Sequence, residues 1–195
     1  MSYTCIMADP PWLFHNKLDM SDGVDRSAMS QYTTMDLEAV KWFLRGSPKS
    51  VIYGKDGHTM LEDLIAEDAV LLLWAPSSFI VDGAATSVAE AWGFEPKQLI
   101  TWVKGRLTPE RLVLNVGMGR YTRNCTEHML LCTKGKCSKL IQDKGVPNVF
   151  VASRGQHSAK PLEAYKLAER LLPGPRLSIF DRKLVEGWDA IGDQL

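Results

Sequence analysis

Ile6-Met7-Ala8-Asp9-Pro10-Pro11-Trp12 is the stretch around which the chain is organised. Its apolar start predicts a buried β-strand, which is followed by an acid, two prolines and an aromatic residue. Ligands of open α/β sheets bind at the carboxyl ends of the strands, and this pattern puts Asp9 at such an end. The two prolines fix φ and remove two backbone donors, so the sequence predicts a stiff corner that is rich in hydrogen-bond acceptors.

This corner suits a planar group that carries an amine. The Asp9 carboxylate and the Pro10 carbonyl can each accept one amine hydrogen, and Trp12 offers a stacking face. An aromatic amine is a poor nucleophile because its lone pair is delocalised into the ring. Acceptors that hold both hydrogens out of the ring plane favour a pyramidal nitrogen, whose lone pair can attack an electrophile placed in line. The alternative is a strand followed by a proline-stiffened turn without chemistry.

The rest of the chain alternates between strand and helix patterns. Apolar runs predict strands at residues 69–74, 99–103, 128–133, 148–151 and 176–180. One-sided apolar spacing predicts helices near residues 37–44, 80–92 and 162–172, and Thr33 with Asp36 forms a capping-box-like start for the first. The run at 69–74 is typical of a central parallel strand buried on both faces. The alternation predicts one α/β domain over residues 1–195, with helices on both faces of the sheet.

Two segments are less regular. Residues 13–31 are polar and aperiodic, which is typical of a substrate-covering loop and equally of plain disorder. Residues 51–68 are compatible with a short strand followed by a helical turn.

Charge is balanced overall but segregated along the chain. The 23 basic and 23 acidic side chains cancel, which argues against a general polyanion binder. Residues 55–95 hold eight acids and one base, whereas residues 97–139 hold nine bases and two acids. The basic segment is a candidate nucleic-acid face. A solvated segment with chance lysines is the alternative.

Several cofactor and targeting motifs are missing from the sequence. Gly117-Met118-Gly119 lacks the third glycine and the following helix of a dinucleotide fingerprint, and no Gly-x-x-x-x-Gly-Lys-Ser/Thr loop is present. The four cysteines do not have the Cys-x-x-Cys spacing of zinc sites, and we expect reduced thiols in a cytoplasmic protein. Neither a secretory leader nor an apolar span near 18 residues is found, so no membrane association is expected.

The last predicted strand ends in Phe180-Asp181-Arg182. Arg182 could bind a carboxylate in bidentate fashion, which suits the amino-acid tail of S-adenosylmethionine. A surface salt bridge is the alternative.

An Asp-Pro-Pro motif followed by an aromatic residue resembles the catalytic motif of methyltransferases that modify the amine of adenine. With Trp12 in the last place, it is similar to the family that includes the catalytic subunit of the messenger-RNA adenosine methyltransferase and many small prokaryotic and phage proteins. Further blocks resemble that family in the family's order, over nearly the whole chain: Gln31-Tyr32-Thr33-Thr34-Met35, Leu73-Trp74, Ala91-Trp92-Gly93-Phe94, Trp102-Val103-Lys104, Thr126-Glu127-His128, His157-Ser158-Ala159-Lys160-Pro161, Glu169-Arg170-Leu171-Leu172-Pro173-Gly174, Phe180-Asp181-Arg182, Trp188, Gly192, Asp193 and Gln194.

This resemblance implies a Rossmann-like S-adenosylmethionine-dependent methyltransferase with a mostly parallel sheet, in which the catalytic motif precedes the cofactor strand. It implies methyl transfer to the exocyclic N6 amine of adenine in nucleic acid. The implied catalytic residues are Asp9, Pro10, Pro11 and Trp12. Tyr32 and Glu127 would shape the substrate pocket, and Lys160 would stand between substrate and cofactor. The implied cofactor-binding residues are Asp9, Pro10, Ser158, Lys160, Ser178, Phe180, Asp181, Arg182, Asp193 and Gln194.

The basic segment flanks Tyr121 and Glu127, so nucleic acid is expected beside the pocket. The residues predicted to bind it are Tyr121, Lys104, Arg106, Arg120 and Arg123. Ser178 departs from the family pattern, because relatives often carry Glu there, and Asp193 replaces a common Asn.

Three hypotheses follow from the residues and the resemblance. DNA is the favoured substrate, because the chain is compact and has no RNA-binding appendage. RNA is the second. The third is a catalytically silent nucleic-acid-binding subunit of the same fold, against which the intact motif at Asp9 argues. A homodimer or a related subunit as partner is left open.

Overall fold

The strand that leads into Asp9 lies in the middle of an eight-stranded sheet. β1 (Tyr3–Ala8) pairs in parallel with β4 (Ile65–Ala75) on one side and with β9 (Arg176–Ile179) on the other. Its last four residues are fully or almost fully buried. Such a strand has to be apolar on both faces, which explains the unbroken run that the sequence shows.

The structure is a computed structural model. It describes residues 2–13, 34–45, 51–54, 57–117, 119, 121–155, 159–181 and 183–192. Most of the predicted loop at 13–31 lies outside these residues.

The other strands extend the sheet in both directions or form a separate hairpin. They are β2 (Val51–Gly54), β3 (Gly57–Met60), β5 (Glu95–Leu107), β6 (Leu112–Leu114), β7 (Thr126–Lys134), β8 (Val149–Ala152) and β10 (Asp189–Ile191). The order β10-β9-β1-β4 is parallel throughout. β7 is antiparallel to both β4 and β5, and β5 also pairs with β6 in antiparallel and with β8 in parallel orientation. β2 and β3 pair only with each other.

Helices cover both faces of this sheet, as the sequence predicted. They are α1 (Leu37–Trp42), α2 (Ser77–Val81), α3 (Ala84–Ala91) and α4 (Leu162–Leu171), with short 3₁₀ turns at Leu61–Leu64 and Cys137–Lys139. One core contains Ile6 and Ala8 of β1 and the buried side of α3. The other core contains Cys5 and Met7 with the apolar side of α4. The alternation along β1 therefore feeds two separate hydrophobic cores.

Several element predictions need correction. The strand predicted at 69–74 has a parallel neighbour on one side only, because β7 runs antiparallel to β4. The helix predicted at 80–92 is two helices, separated at Gly83, whose φ of +82° is the left-handed conformation that glycine adopts readily. Asp36 caps α1 by accepting from the Ala39 amide at 2.7 Å, and Thr33 lies outside the described residues.

The strand register brings the described strand ends next to Asp9, Phe180 and Glu127 to one edge. Ala8 pairs with Leu73 in β4 and with Ile179 in β9, so these three strands end together. Because β7 is antiparallel, it starts where β4 ends, and Ala75 pairs with His128. We call this edge the site edge.

None of the helices that the structure describes is long and apolar enough to span a membrane. Within the described residues, no group of His, Cys, Asp and Glu side chains could hold a metal ion. The four cysteines, all of them described, form no disulfide bond.

Candidate active site

Backbone hydrogen bonds hold the corner that follows β1. The Trp12 amide donates to the Pro10 carbonyl at 2.8 Å, and the Met35 amide donates to the Pro11 carbonyl at 2.8 Å. The second bond ties the corner to the chain that enters α1. A carbonyl oxygen has two lone pairs, so the Pro10 carbonyl keeps one for a substrate after binding the Trp12 amide. The corner is thus held by two backbone hydrogen bonds, and its role as an acceptor of the substrate amine stays a prediction.

Trp12 has a different role from the predicted one. It is only 4% exposed, and its indole Nε1 donates to the Trp74 carbonyl at 3.0 Å. Its ring packs against Phe79 with centroids 5.0 Å apart. Because the ring is almost completely buried, Trp12 has no open stacking face in this structure and instead fixes the corner to β4.

Four charged side chains from four segments alternate in sign across the site edge. Lys160 Nζ, just before α4, lies 2.8 Å from Asp9 Oδ2 and 3.4 Å from Glu127 Oε2. Lys104 Nζ, on β5, lies 2.6 Å from Glu127 Oε1. The two lysine side chains are only 13% exposed. The structure thus brings together Asp9, Glu127 and Lys160, as a shared pocket requires.

These neighbours fix the protonation of the site. Burial alone disfavours the Lys160 cation, but the carboxylates of Asp9 and Glu127 outweigh it and hold the pKa of Lys160 above its ordinary value. Burial also works against the Glu127 carboxylate, yet Lys160 and Lys104 hold the pKa of Glu127 below its ordinary value. Burial lowers the pKa of His128, against the opposing charge of Glu127. Near neutral pH, Lys160 is therefore an ammonium group and Glu127 a carboxylate.

A second corner forms where β9 ends. Phe180 has a φ of +64°, which is uncommon for a residue with a side chain. Its amide donates to the Ile191 carbonyl of β10 at 2.7 Å, and its half-buried ring packs against Phe43 with centroids 4.2 Å apart. This turn of the backbone ends the strand and carries Asp181 to the site edge.

Two hydroxyl groups hold the Asp181 carboxylate. Tyr165 and Ser178 each donate to Asp181 Oδ2 at 2.6 Å. Burial and the adjacent Asp181 carboxylate raise the pKa of Tyr165, which keeps its hydroxyl a donor. A Cβ at Gly192 would collide with the Asp181 carbonyl oxygen, so β10 ends directly against this corner. Ser178 thus binds a carboxylate three residues further along the chain.

Basic and aromatic side chains are exposed beyond β5 and β7 at the site edge. The exposed arginines there, which we call the basic hairpin surface, are Arg106, Arg111, Arg123 and Arg154. Arg154 follows β8 and approaches Gly117, in the segment between β6 and β7. Tyr121 is 91% exposed in the same segment. Arg106, Arg123 and Tyr121 lie on this surface, and their contact with nucleic acid stays a prediction.

The predicted basic segment does not form one face. Glu95 in β5 pairs with Thr133, whereas Val103 pairs with Thr126, so the two ends of β5 lie at opposite edges of the sheet. Lys97 and Arg106 are nine positions apart along the sequence, which is roughly 30 Å of extended strand. The bases at the far edge are Lys97, Lys134, Lys136 and Lys139. The prediction of a single face over 97–139 is therefore wrong.

Lys104 also departs from its prediction. Its side chain is 13% exposed and its ammonium group binds Glu127, so it points into the site and not toward phosphates at the surface. Six further predicted site residues lie outside the described residues, and their roles stay predictions: Tyr32, Arg120, Ser158, Arg182, Asp193 and Gln194.

Comparison with known proteins identifies the family. The profile of the MT-A70 family matches residues 57–194, which are 138 of the 195 residues. The chain belongs to the MT-A70 family. This agrees with the resemblance seen in the sequence and with the methyltransferase fold.

Individual MT-A70 relatives and other methyltransferases align over nearly the whole chain. The type II methyltransferase M.MunI of Mycoplasma sp is 26% identical over 205 residues, which cover 97% of this chain and 76% of that protein. The N(6)-adenosine-methyltransferase MT-A70-like protein of Drosophila melanogaster is 27% identical over 197 residues, 99% of this chain and 27% of its own. The N(6)-adenosine-methyltransferase catalytic subunit METTL3 of Homo sapiens is 25% identical over 196 residues, 99% of this chain and 28% of its own. The chain thus spans about a quarter of the length of these two eukaryotic relatives.

Methyltransferases of the MT-A70 family depend on S-adenosylmethionine. The described residues fit this group by their chemistry, because it carries two positive charges and a carboxylate. Asp9 and Asp181 supply carboxylates at neighbouring strand ends. Lys160 and Lys183 supply ammonium groups at the same edge, and Lys183 Nζ donates to the Lys160 carbonyl at 2.9 Å.

Tyr165, Arg154 and Lys183 belong to the site edge but were not predicted as site residues. Tyr165 was predicted only as an apolar position of α4, since the carboxylate it binds lies 16 residues away. Arg154 lies outside the basic segment in sequence and reaches the basic hairpin surface through β8. Only the sheet topology brings these residues to the site.

Proposed function

We propose that this protein transfers a methyl group from S-adenosylmethionine to the exocyclic N6 amine of adenine in nucleic acid, with DNA as the favoured polymer. The observation that carries the proposal is the corner at the end of β1, where Asp9 lies 2.8 Å from the Lys160 ammonium and beside the fixed carbonyl of Pro10. Membership of the MT-A70 family supports the same chemistry.

In this proposal the corner holds the amine in a reactive geometry. The Asp9 carboxylate and the Pro10 carbonyl accept the two amine hydrogens, which directs the nitrogen lone pair out of the purine plane. The prolines and Trp12 hold these acceptors before substrate arrives, so little reorganisation is needed at the moment of reaction. When bound, S-adenosylmethionine supplies an electrophilic methyl group.

Lys160 and Glu127 have supporting roles. Lys160 binds Asp9 Oδ2 and so fixes the orientation of the Asp9 carboxylate. Glu127 contacts the same ammonium from β7 and keeps it in place. Asp181, held by Tyr165 and Ser178, provides a second fixed carboxylate toward the cofactor.

We favour DNA because the chain covers most of a type II methyltransferase but only about a quarter of the relatives that are named for adenosine. The chain spans 76% of the type II methyltransferase from Mycoplasma sp. The relatives that are named for adenosine, a ribonucleoside, match this chain over only 22–28% of their lengths. RNA is the alternative that the experiment below tests.

The basic hairpin surface and Tyr121 would hold the strand beside the pocket. Arginines at phosphates contribute affinity but little sequence information. An exposed aromatic ring is a stacking platform for an unpaired base. The target amine is engaged in pairing inside a duplex, so the base has to be flipped or already unpaired, which costs a few kcal/mol at a paired site. We therefore expect single-stranded or loosened substrate to be preferred.

The activity is tested by incubating the protein with labelled S-adenosylmethionine and adenine-containing DNA or RNA, followed by nucleoside analysis. We expect N6-methyl-2′-deoxyadenosine from single-stranded DNA and less product from duplex DNA. A matched oligonucleotide with hypoxanthine in place of adenine lacks the amine and should yield no product. Product from RNA alone would refute the preference for DNA, and no methylated adenine from any polymer would refute the activity.

The nucleic-acid surface is tested by the salt dependence of binding. Arg123→Ala and Arg106→Ala should each reduce the slope of log affinity against log salt by about 0.7 on single strands, since each removes one phosphate contact. Lys136→Ala, at the far edge of the sheet, is the matched control and should leave the slope unchanged. Wild-type slopes for both arginine variants would place the nucleic acid elsewhere.

A further inference from the structure

Lys104 is the one basic side chain, among those that the structure describes on the site-edge part of β5, that points into the site. Its backbone is fixed on both sides, because its amide donates to the Cys125 carbonyl at 2.8 Å and its carbonyl accepts from the Asn115 amide at 2.7 Å. Trp102, two residues earlier on the strand, is buried under the same face. The side chain of Lys104 is therefore directed by the sheet toward Glu127.

The two lysines of the site share one aromatic support. Lys104 Nζ lies 5.3 Å from the centre of the Trp102 ring, and Lys160 Nζ lies 5.2 Å from the centre of the Trp74 ring. The two rings contact each other edge to face, with centroids 6.2 Å apart. An ammonium group over an aromatic face is stabilised by the ring, more so when it is desolvated. Glu127 bridges both lysines above these rings.

We propose that Lys104 is a positioning residue for methyl transfer, which acts by holding Glu127 so that Glu127 in turn holds Lys160 against Asp9. This inference rests on the proposed function of the same site. The distances carry it: the Lys104–Glu127 contact, at 2.6 Å, is shorter than the Lys160–Glu127 contact, at 3.4 Å. Lys104 is thus the firmer anchor of the Glu127 carboxylate.

Removal of Lys104 has a defined electrostatic consequence. The charged groups that face Glu127 within the described residues are Lys104 from β5, Lys160 from the segment before α4, and Asp9 through Lys160 from the end of β1. His128, next to it on β7, is the adjacent titratable group. Without Lys104, Glu127 keeps one cation at the longer distance while its burial remains, so its carboxylate protonates more readily.

The experiment compares Lys104→Met, Lys104→Arg and Arg106→Ala. The carboxyl carbon of Glu127 is titrated by ¹³C NMR in each protein, without substrate. We expect Lys104→Met to move the Glu127 titration to higher pH, while Lys104→Arg and Arg106→Ala leave it near that of the wild type. In turnover assays, Lys104→Met should lower kcat by about 10- to 100-fold with little change in KM, as expected for a misplaced catalytic group. The acid limb of the pH–kcat profile of Lys104→Met should also shift to higher pH, and Lys104→Arg should restore most of the activity.

Salt dependence distinguishes this role from the phosphate contact predicted from the sequence. Lys104→Met should keep the wild-type slope of log affinity against log salt, whereas Arg106→Ala should reduce it by about 0.7. A reduced slope for Lys104→Met, with kcat and the Glu127 titration unchanged, overturns the positioning role.

A measurement on the wild-type protein covers the case in which Lys104→Met fails to fold. The Lys104 ammonium should give a ¹H–¹⁵N signal protected from solvent exchange, because it is 13% exposed and bound to a carboxylate. Lys97 also pairs with a carboxylate, that of Glu95, but is 44% exposed; it is the comparison and should exchange rapidly. Equal exchange at both lysines overturns the inference. Since the NMR readouts need no turnover, methylation with an unmoved Glu127 titration refutes only the role of Lys104. Absence of methylation with every polymer refutes the proposed function and the role of Lys104 with it.

Discussion

Replacement of Asp9 by Asn separates the chemistry of the corner from its stability. The amide has nearly the shape of the carboxylate but presents one acceptor and one donor, and it has no charge. Loss of one preorganised charge-stabilising contact costs about 100-fold or more in rate. We therefore expect Asp9→Asn to reduce methyl transfer by at least that factor, and Asp9→Ala by somewhat more.

The effect on stability should be much smaller. Lys160 loses the charge of its 2.8 Å partner and keeps the Glu127 carboxylate at 3.4 Å. The side chains of the lost pair are 13% and 24% exposed, so the pair lies between a surface salt bridge, worth about 0–1 kcal/mol, and a fully buried one, whose breakage costs about 3–5 kcal/mol. An unfolding free energy lower by about 1–2 kcal/mol is expected, which corresponds to a Tm decrease of about 2–8 °C for a domain of this size.

The assay is single-turnover methyl transfer at saturating cofactor, with urea unfolding of the same preparations. Asp143→Asn is the matched control, because Asp143 pairs with Arg170 at the surface, and it should keep wild-type turnover. Turnover within about threefold of wild type for Asp9→Asn would refute the amine-holding role. A loss of activity that tracks a global loss of folding would make Asp9 a structural residue.

Three further outcomes follow from the β9 corner and the buried charges. Ser178→Ala and Tyr165→Phe should each weaken S-adenosylmethionine binding by about tenfold in calorimetry, because each removes a hydrogen bond that orients Asp181, and unchanged affinity would exclude that orienting role. Gly192→Ala should lower the unfolding free energy measured in urea by about 1–3 kcal/mol, since the new Cβ meets the Asp181 carbonyl oxygen. An unchanged unfolding free energy would show that β10 shifts freely. Folding lowers the pKa of Glu127, so its carboxylate stabilises the folded protein at pH values above its ordinary pKa near 4.5. This stabilisation is lost as the pH falls through the lower pKa of the folded protein. Urea midpoints from pH 6 to 3 should fall more steeply for the wild type than for Glu127→Gln.

Much of the fold could be predicted because each central strand forms an apolar run that is recognisable in the sequence. β1 and β4 are apolar on both faces and long enough to stand out from their surroundings. The amphipathic spacing of α4 was equally informative. β10 was missed, and residues 51–68 were predicted to hold one short strand and a helical turn where the structure has two strands before the 3₁₀ turn, because three or four residues carry too little periodicity to be recognised. The orientation of β7 was not predictable, since an apolar run has the same appearance in parallel and antiparallel pairing.

The site was predictable where one local motif contains its chemistry, as at Asp9, and less so where contacts cross the sheet. Nothing near Lys104 in the sequence indicates that its partner is Glu127, 23 residues away, and the same residue in a basic segment is equally typical of a phosphate contact. The charge count along the chain gave the wrong prediction of a single basic face for a related reason. β5 runs from the far edge to the site edge and β7 runs back, so the middle of the basic segment lies at the site edge while both of its ends lie at the far edge.

The charges of the site also limit how the proton is removed in the proposed reaction. When a neutral amine takes up the methyl group, its nitrogen becomes positively charged and has to lose one proton to give the product. Lys160 cannot accept this proton near neutral pH, because Asp9 and Glu127 hold it as an ammonium group. Glu127, with its pKa lowered by two lysines, is a weak base. A site built in this way favours attack by a well-held neutral amine over prior proton abstraction, and the proton then leaves past Asp9 to water once the methyl group has been transferred.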